Sequence, residues 1–339
     1  MQYYIIVFKL LYNIAFKLLY IKLVLIKNKF GKETSGYMKN SILLRKLCPK
    51  TIEQQYNIYD GLCSKYSFEK IIEGEKKVDI LLLRGILQRL GKSTENLEIL
   101  LQEKDYIQIE YEEMIECFIE EGRYKEAEEK IVSYERDCKE SENLKQQKIH
   151  QWRAEIFFNK KGYKISYDEV EMALNCTKRN LRRNETIWEL PMTMTEIQLH
   201  QQRLELEYLL GNTKQSQEEA KKLERALLKF VTDKELLVKV YPRTISFLAN
   251  HCYQTEGYER CLFYCKKGID ILRWTDSLLY GIELFRLQAN AMKEGKLGSE
   301  KERKQADFEA YAMESLYNEE IQLDEVVEKE IGEELWEFI

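Results

Sequence analysis

The stretch SKYSFEKIIE, from Ser64 to Glu73, carries the side chains best suited to recognition chemistry in this chain. Phe68 and Ile71 stand three apart and face a core. Lys65, Tyr66, Ser67, Glu69 and Lys70 are left on the outside of one short helix that Ser64 can cap. That outer face holds residue types that reach phosphates and base edges. Other candidate sets are better explained by architecture. His251, Cys252, Cys261 and Cys265 offer donors for zinc, but the three cysteines fall where closely packed helices need small side chains, so no metal is expected. The carboxylates Glu319, Glu320, Asp324, Glu325, Glu328, Glu330, Glu333 and Glu334 have no acid–base partner and keep helical spacing with Ile321, Val326 and Leu335. A solvated capping helix over 319–339 accounts for them. With no His-Glu-x-x-His, no Gly-x-Gly-x-x-Gly, no Gly-x-Ser-x-Gly and no Walker loop, nothing marks an enzyme and no cofactor is expected.

A scaffold must position the Ser64–Glu73 face, and composition says which kind. The 339 residues include only 3 Pro and 15 Gly, with 33% charged and 44% apolar side chains. Helix breakers are scarce, so the fold is expected to be all-α, with length for about two domains. Eight dispersed cysteines with no Cys-x-x-Cys suit reduced thiols in a cytoplasm. Four helical pieces surround the candidate face. Asn40–Leu47 is stopped by Pro49, Ile52–Asp60 by Gly61, Ser64–Glu73 by Gly74 and Val78–Leu90 by Gly91. Asp79 caps the fourth, whose Ile80, Leu82, Leu83, Ile86, Leu87 and Leu90 make it a packing helix. Charge divides along the same line. Residues 38–92 hold 11 Lys/Arg against 6 Asp/Glu, whereas 36 face 51 from Ser93 onward. A basic head on an acidic body suggests that the head meets a polyanion.

Residues 1–37 stand apart. Lys9, Lys17, Lys22 and Lys27 interrupt an otherwise apolar run, and Lys9 and Lys17 would both lie inside a bilayer. No small-x-small cleavage site follows it. Its Tyr, Ile, Phe, Lys, Leu, Asn and Val are types favoured by A/T-rich codons. The preferred expectation is translated upstream DNA with the native start at Met38; a basic amphipathic helix lying on a membrane and a true membrane span are the other readings.

The run Tyr59-Asp60-Gly61-Leu62-Cys63-Ser64-Lys65-Tyr66-Ser67-Phe68-Glu69-Lys70-Ile71-Ile72-Glu73-Gly74, followed by Leu87-Gln88-Arg89-Leu90-Gly91-Lys92-Ser93, resembles the helix-turn-helix head of Cro/cI-like (XRE-type) regulators. In particular it is similar to those of Gram-positive bacteria that carry a tetratricopeptide-type body. Such heads usually have Ser, Arg, Glu and Asn where this chain has Glu69, Lys70, Ile72 and Glu73. The resemblance implies that the Gln54–Asp60 helix lies across a DNA backbone while the Ser64–Lys70 turns enter the major groove. Gln54, Gln55, Lys76 and Lys77 are then the candidate phosphate contacts, and Lys65, Tyr66, Ser67 and Lys70 the candidate base readers. One head reads few base pairs, so a homodimer on double-stranded DNA is expected.

Beyond Ser93 a phrase recurs: an amphipathic helix, a Gly-containing turn, an aromatic residue, then a small residue opening a second helix. This is the signature of a solenoid. Arg243 to Ile269 is the clearest copy, with Leu248, Ala249, Asn250, Tyr258, Cys261, Cys265 and Gly268 at tetratricopeptide spacings. Gly122, Tyr124 and Ala127 mark another, and turns are expected near 122, 161, 211, 256 and 295. Trp152 and Trp188 are assigned to the core, Lys178, Arg179, Arg182 and Arg183 to a solvated face, and Pro191 and Pro242 to the neighbourhood of helix starts. The first helix of each pair lines the concave side, where Arg243, Ser246, Asn250 and Tyr253 have the spacing to project together and hold a peptide. Glu155, Phe158, Gln201, Glu205 and Tyr208 take equivalent places on weaker repeats. The resemblance implies a signalling peptide or protein as the occupant. The domain plan is therefore an extension (1–37), a helix-turn-helix bundle (38–92), tetratricopeptide-like repeats (93–318) and a cap (319–339). The alternative function is an interaction scaffold whose head no longer binds DNA.

Overall fold

In a computed structural model the protein is described over residues 35–93, 103–136, 138, 142–181, 185–272 and 280–315. The expectations for residues 1–34 and for the acidic cap at 319–339 lie outside the described residues. The head contains α1 (Ser35–Leu47), α2 (Ile52–Tyr59), α3 (Lys65–Glu73) and α4 (Ile80–Arg89). Local chemistry sets these boundaries. Thr51, Ser64 and Asp79 accept from the backbone N–H of Gln54, Ser67 and Leu82, each satisfying one of the donors a helix start leaves free. Leu44, Phe68, Ile71, Leu83, Ile86 and Leu87 close into the head core, with Tyr59 packed on Phe68 at 5.0 Å between ring centroids.

The body alternates long helices and tight turns: α5 (Glu103–Glu120), α6 (Tyr124–Arg136), α7 (Asn143–Asn159), α8 (Tyr163–Cys176), a 3₁₀ turn (Ile187–Glu189), α9 (Met194–Leu209), α10 (Thr213–Phe230), α11 (Lys234–Gln254), α12 (Tyr258–Leu272), α13 (Gly281–Glu294) and a helix α14 over residues 300–315. Each helix packs on its neighbours in sequence, and α5, α7, α9, α11 and α13 also stack on one another in that order. This is a tetratricopeptide-like α-solenoid, and the fold is all-α, with no strand among the described residues.

One turn geometry recurs through the body. The N–H of Arg123, Gly162, Asn212, Gly257 and Leu297 donates to the carbonyl five residues earlier, and the residue before each donates three back. That second donor, Gly122, Lys161, Gly211, Glu256 or Lys296, itself takes the left-handed conformation. This is the helix-ending motif in which two crossed backbone bonds satisfy orphan carbonyls. It sends the chain back antiparallel each time.

Cys252, Cys261 and Cys265 are buried in the largest core, and Trp152 is buried between α5, α6 and α7. No group of side chains suited to a metal occurs among the described residues, and none of their helices is long and apolar enough to cross a membrane. Pro242 differs from expectation. It lies inside α11, which begins eight residues earlier with Asp233 as its cap, so the helix runs through the proline instead of starting beside it.

Buried His200 stacks near Trp188 at 4.8 Å, with no partner for Nδ1. Burial first, then Arg203 and Arg179, hold its pKa down at about 3 against an ordinary 6.5, while Glu196 pulls the other way. The unfolded chain takes up a proton near 6.5 and the folded one does not, so stability falls as pH drops from about 6.5 toward 3. The slope is up to about 1.4 kcal/mol per pH unit. Urea unfolding between pH 6.5 and 4.5 checks this: His200→Phe flattens the wild-type slope, and an unchanged slope removes His200 as its cause.

Candidate functional site

The head presents α3 as a capped helix with one face in the core and one outside. Tyr66 is 69% exposed and Lys65 and Glu69 lie beside it. The lysines of this face are held by carboxylates of the same head. Lys65 Nζ lies 3.7 Å from Glu69, one turn along, and Lys70 Nζ lies 2.6 Å from Glu75 and 3.3 Å from Glu73. The hydrogen bonds that Lys70 donates to Glu75, and then to Glu73, raise its pKa above the ordinary value. Lys76 Nζ donates to Ser67 Oγ at 2.9 Å, which ties the loop after α3 to its first turn. Ser64 spends its hydroxyl on the cap.

The candidate phosphate contacts are positioned locally. Gln54 accepts from Thr51 Oγ1 at 2.8 Å, and Gln55 donates to Pro49 O at 2.8 Å. Lys77 is half-buried and engaged within the fold. The head therefore brings Ser64, Lys65, Tyr66, Ser67, Lys70 and Lys76 together on and beside α3, and leaves Gln54 and Gln55 at the start of α2.

The α3 start also borders the body. Ser64, Ser67 and Lys76 share a cleft of about 820 Å3 with Lys104, Asp105 and Gln108 of α5 and with Glu142 and Lys145 before and within α7.

Behind this face the head is fixed to the solenoid by buried charge, which motif reading missed. Arg89 at the end of α4 donates to Ile58 O (3.1 Å) and Asp60 O (2.6 Å) in the head and to Glu196 Oε1 (2.6 Å) in α9. Glu196 also meets Arg179 at 3.4 Å and accepts from Thr177 Oγ1 at 3.0 Å and from the Thr193 N–H at 2.7 Å. Asp60 accepts from the Asn180 backbone (2.9 Å) and side chain (3.3 Å). Two carboxylates thus balance two guanidiniums in one buried cluster spanning head and body. Burial alone would raise the Glu196 pKa, but Arg89 first and then Arg179 outweigh it and hold it at about 2. Burial, with Arg89 nearby, lowers Arg179 to about 10. Arg179 is accordingly not on a solvated face: it is 6% exposed and also donates to Pro191 O, because Glu196 and Asp60 draw it inward. The Leu144 side chain of α7 completes the contact against the head core.

On the solenoid, the four residues of the clearest repeat reach toward neighbouring helices of the stack. Arg243 forms a two-pronged pair with Glu205 at 2.7 and 2.8 Å. Ser246 is buried and donates to Glu283, and Tyr253 Oη donates to Glu294 at 2.7 Å. Each tie joins helices two apart in the chain, so three of the four residues hold the stack together. Asn250 instead lines a recess of about 220 Å3 with Phe158, Glu205, Tyr208 and Phe247. Gln201 is buried and donates to Val240 O and Thr244.

No family model matches the chain, and no curated protein sequence does. Among solved structures it is similar to PlcR of Bacillus thuringiensis, determined in complex with the peptide PapR7 and DNA. The likeness covers 88% of this chain and 99% of that one at 16% identity, with a TM-score of 0.50. At that identity it is a likeness of fold.

Proposed function

We propose that the protein is a DNA-binding transcriptional regulator of the cytoplasm, not an enzyme, that works as a homodimer and senses a short peptide or a protein partner through its solenoid. The observation that carries this reading is the outer face of α3. It is a capped helix projecting Lys65, Tyr66, Ser67 and Lys70 from a head of helix-turn-helix form. The PlcR complex supports it at the level of fold. In this reading α3 enters the major groove, α2 crosses the backbone, and Gln54, Gln55, Lys76 and Lys77 position the head. The solenoid supplies the partner site, and partner binding shifts the balance between arrangements of the two heads.

A second reading, an interaction scaffold with a silent head, draws on the same geometry. Glu69, Glu73 and Glu75 neutralise the lysines that a phosphate would need.

The lysine–glutamate pairs separate the two readings. If Lys70 reads a base edge, Lys70→Ala weakens binding to the preferred duplexes by about 1–3 kcal/mol and relaxes specificity at that position. Glu75→Gln removes the nearer of the two carboxylates that hold Lys70 and strengthens binding in the same assay. Electrophoretic or anisotropy titrations with genomic fragments read both. If neither change moves the affinity, the scaffold reading stands.

A further inference from the structure

A cavity of about 570 Å3 opens where the head meets the solenoid, within the range of about 300–1,000 Å3 typical of small-ligand clefts. Its head wall is α4, with Arg84 and Gln88; its body wall is formed by α5, α7, the start of α9 and, from α11, Leu236 and an engaged Lys239. The charges on the two walls differ. Glu116 is satisfied by Lys148 at 2.6 Å, but Glu120 and Glu155 have no hydrogen bond or ion pair among the described residues. Across from them, Arg84 also lacks a partner among the described residues. Gln151 donates to Gln198 at 3.1 Å and leaves its own Oε1 buried without a donor. The cavity thus offers acceptors for a cation and for an N–H on the body side, and a guanidinium for a carboxylate on the head side.

We propose that this cavity, rather than the recess around Asn250, takes the charged end of a short peptide, with an ammonium or guanidinium on Glu120 and Glu155 and a carboxylate on Arg84. This rests on the peptide-sensing reading above and names the site and the charge pattern of its ligand. The occupant touches both head and body. Its head wall includes Gln88, whose side chain accepts from the Met194 N–H one residue before the Arg89 link to Glu196. A ligand here therefore biases the head–body junction directly, and by linkage DNA bound to the head changes peptide affinity by the same factor.

The test uses the full chain and a soluble library of random hexapeptides with free carboxyl termini, captured by size exclusion and read by mass spectrometry. A second, amidated library runs in parallel. Wild type is expected to enrich peptides that carry a Lys or Arg side chain beside the carboxylate, over the composition of the starting library. Arg84→Gln lowers the affinity of the enriched peptides by about tenfold or more, and the Glu120→Gln/Glu155→Gln pair erases the preference for cations. Loss of binding on amidation assigns the carboxylate to the C-terminus, and its persistence assigns it to an acidic side chain; both support the site. Thermal midpoints matching wild type show that the variants are folded. If these variants capture the same peptides equally well while Asn250→Ala loses them, the cavity is overturned and peptide sensing survives. If wild type captures nothing, both fall.

Discussion

Arg89→Met lowers the free energy of unfolding by about 3–5 kcal/mol, the cost of leaving a buried carboxylate without its nearest counter-charge. Arg89 is fully buried and sits 2.6 Å from Glu196, so its removal leaves Glu196 with Arg179, at 3.4 Å, as its remaining cation in contact among the described residues. It also strips the donor from the carbonyls of Ile58 and Asp60, which end α2. Acid sharpens the effect. The Glu196 pKa, held at about 2, contributes stability that is fully present above its ordinary value near 4.5 and is lost as pH falls through about 2. Without Arg89 that value rises and the acid limb of the stability curve moves to higher pH. Urea unfolding at pH 7 and pH 4 measures both changes. A loss below about 1 kcal/mol at pH 7 would mean that the link is not made in solution.

Gly61→Ala detaches the head by a different route. Gly61 has φ +79, and a Cβ there would fall on the carbonyl oxygen of Thr177, well inside van der Waals contact. Gly122→Ala is the matched control, since Gly122 has φ +73 and nothing within 4 Å of a built Cβ. The control carries only the left-handed backbone penalty, roughly 1–2 kcal/mol. Gly61→Ala adds the overlap, so its loss exceeds the control's by about 2 kcal/mol or more, a typical overpacking cost. The head yields first, because Asp60 and Asn180 must separate. Hydrogen exchange of the Asn180 amide reads this directly. Equal losses in the two variants would show that the close approach of Gly61 to Thr177 is absent.

These junction residues also mark where the sequence stopped being informative. Ser64 and Asp79 were legible as caps, and Gly74 and Gly91 as stops, because local chemistry decides them within four residues. The turns near 161, 256 and 295 were found through their neighbours, although their left-handed residues are Lys161, Glu256 and Lys296. The buried charge cluster was not legible, since Arg89 and Glu196 are 107 residues apart. One signal existed. Arg89 shares the apolar stripe of α4 with Leu82 and Ile86, and a guanidinium in a core needs a carboxylate. Basic sequence neighbours suggest a solvated Arg179, while its true surroundings come from α9 and the head. Spacing likewise put Arg243, Ser246 and Tyr253 on one face, but could not show that Glu205, Glu283 and Glu294 arrive there from adjacent repeats.

A head that reads DNA while fixed to the solenoid must select sites from a genome. Capture of genomic fragments by the full chain, sequenced after washing at about 50 and then 200 mM salt, tests it most directly. The retained fragments are expected to share discrete sites, with affinity falling steeply between the two salts as phosphate contacts are lost. No retained fragment even at the lower salt would contradict it and leave the head as a structural cap on an interaction scaffold.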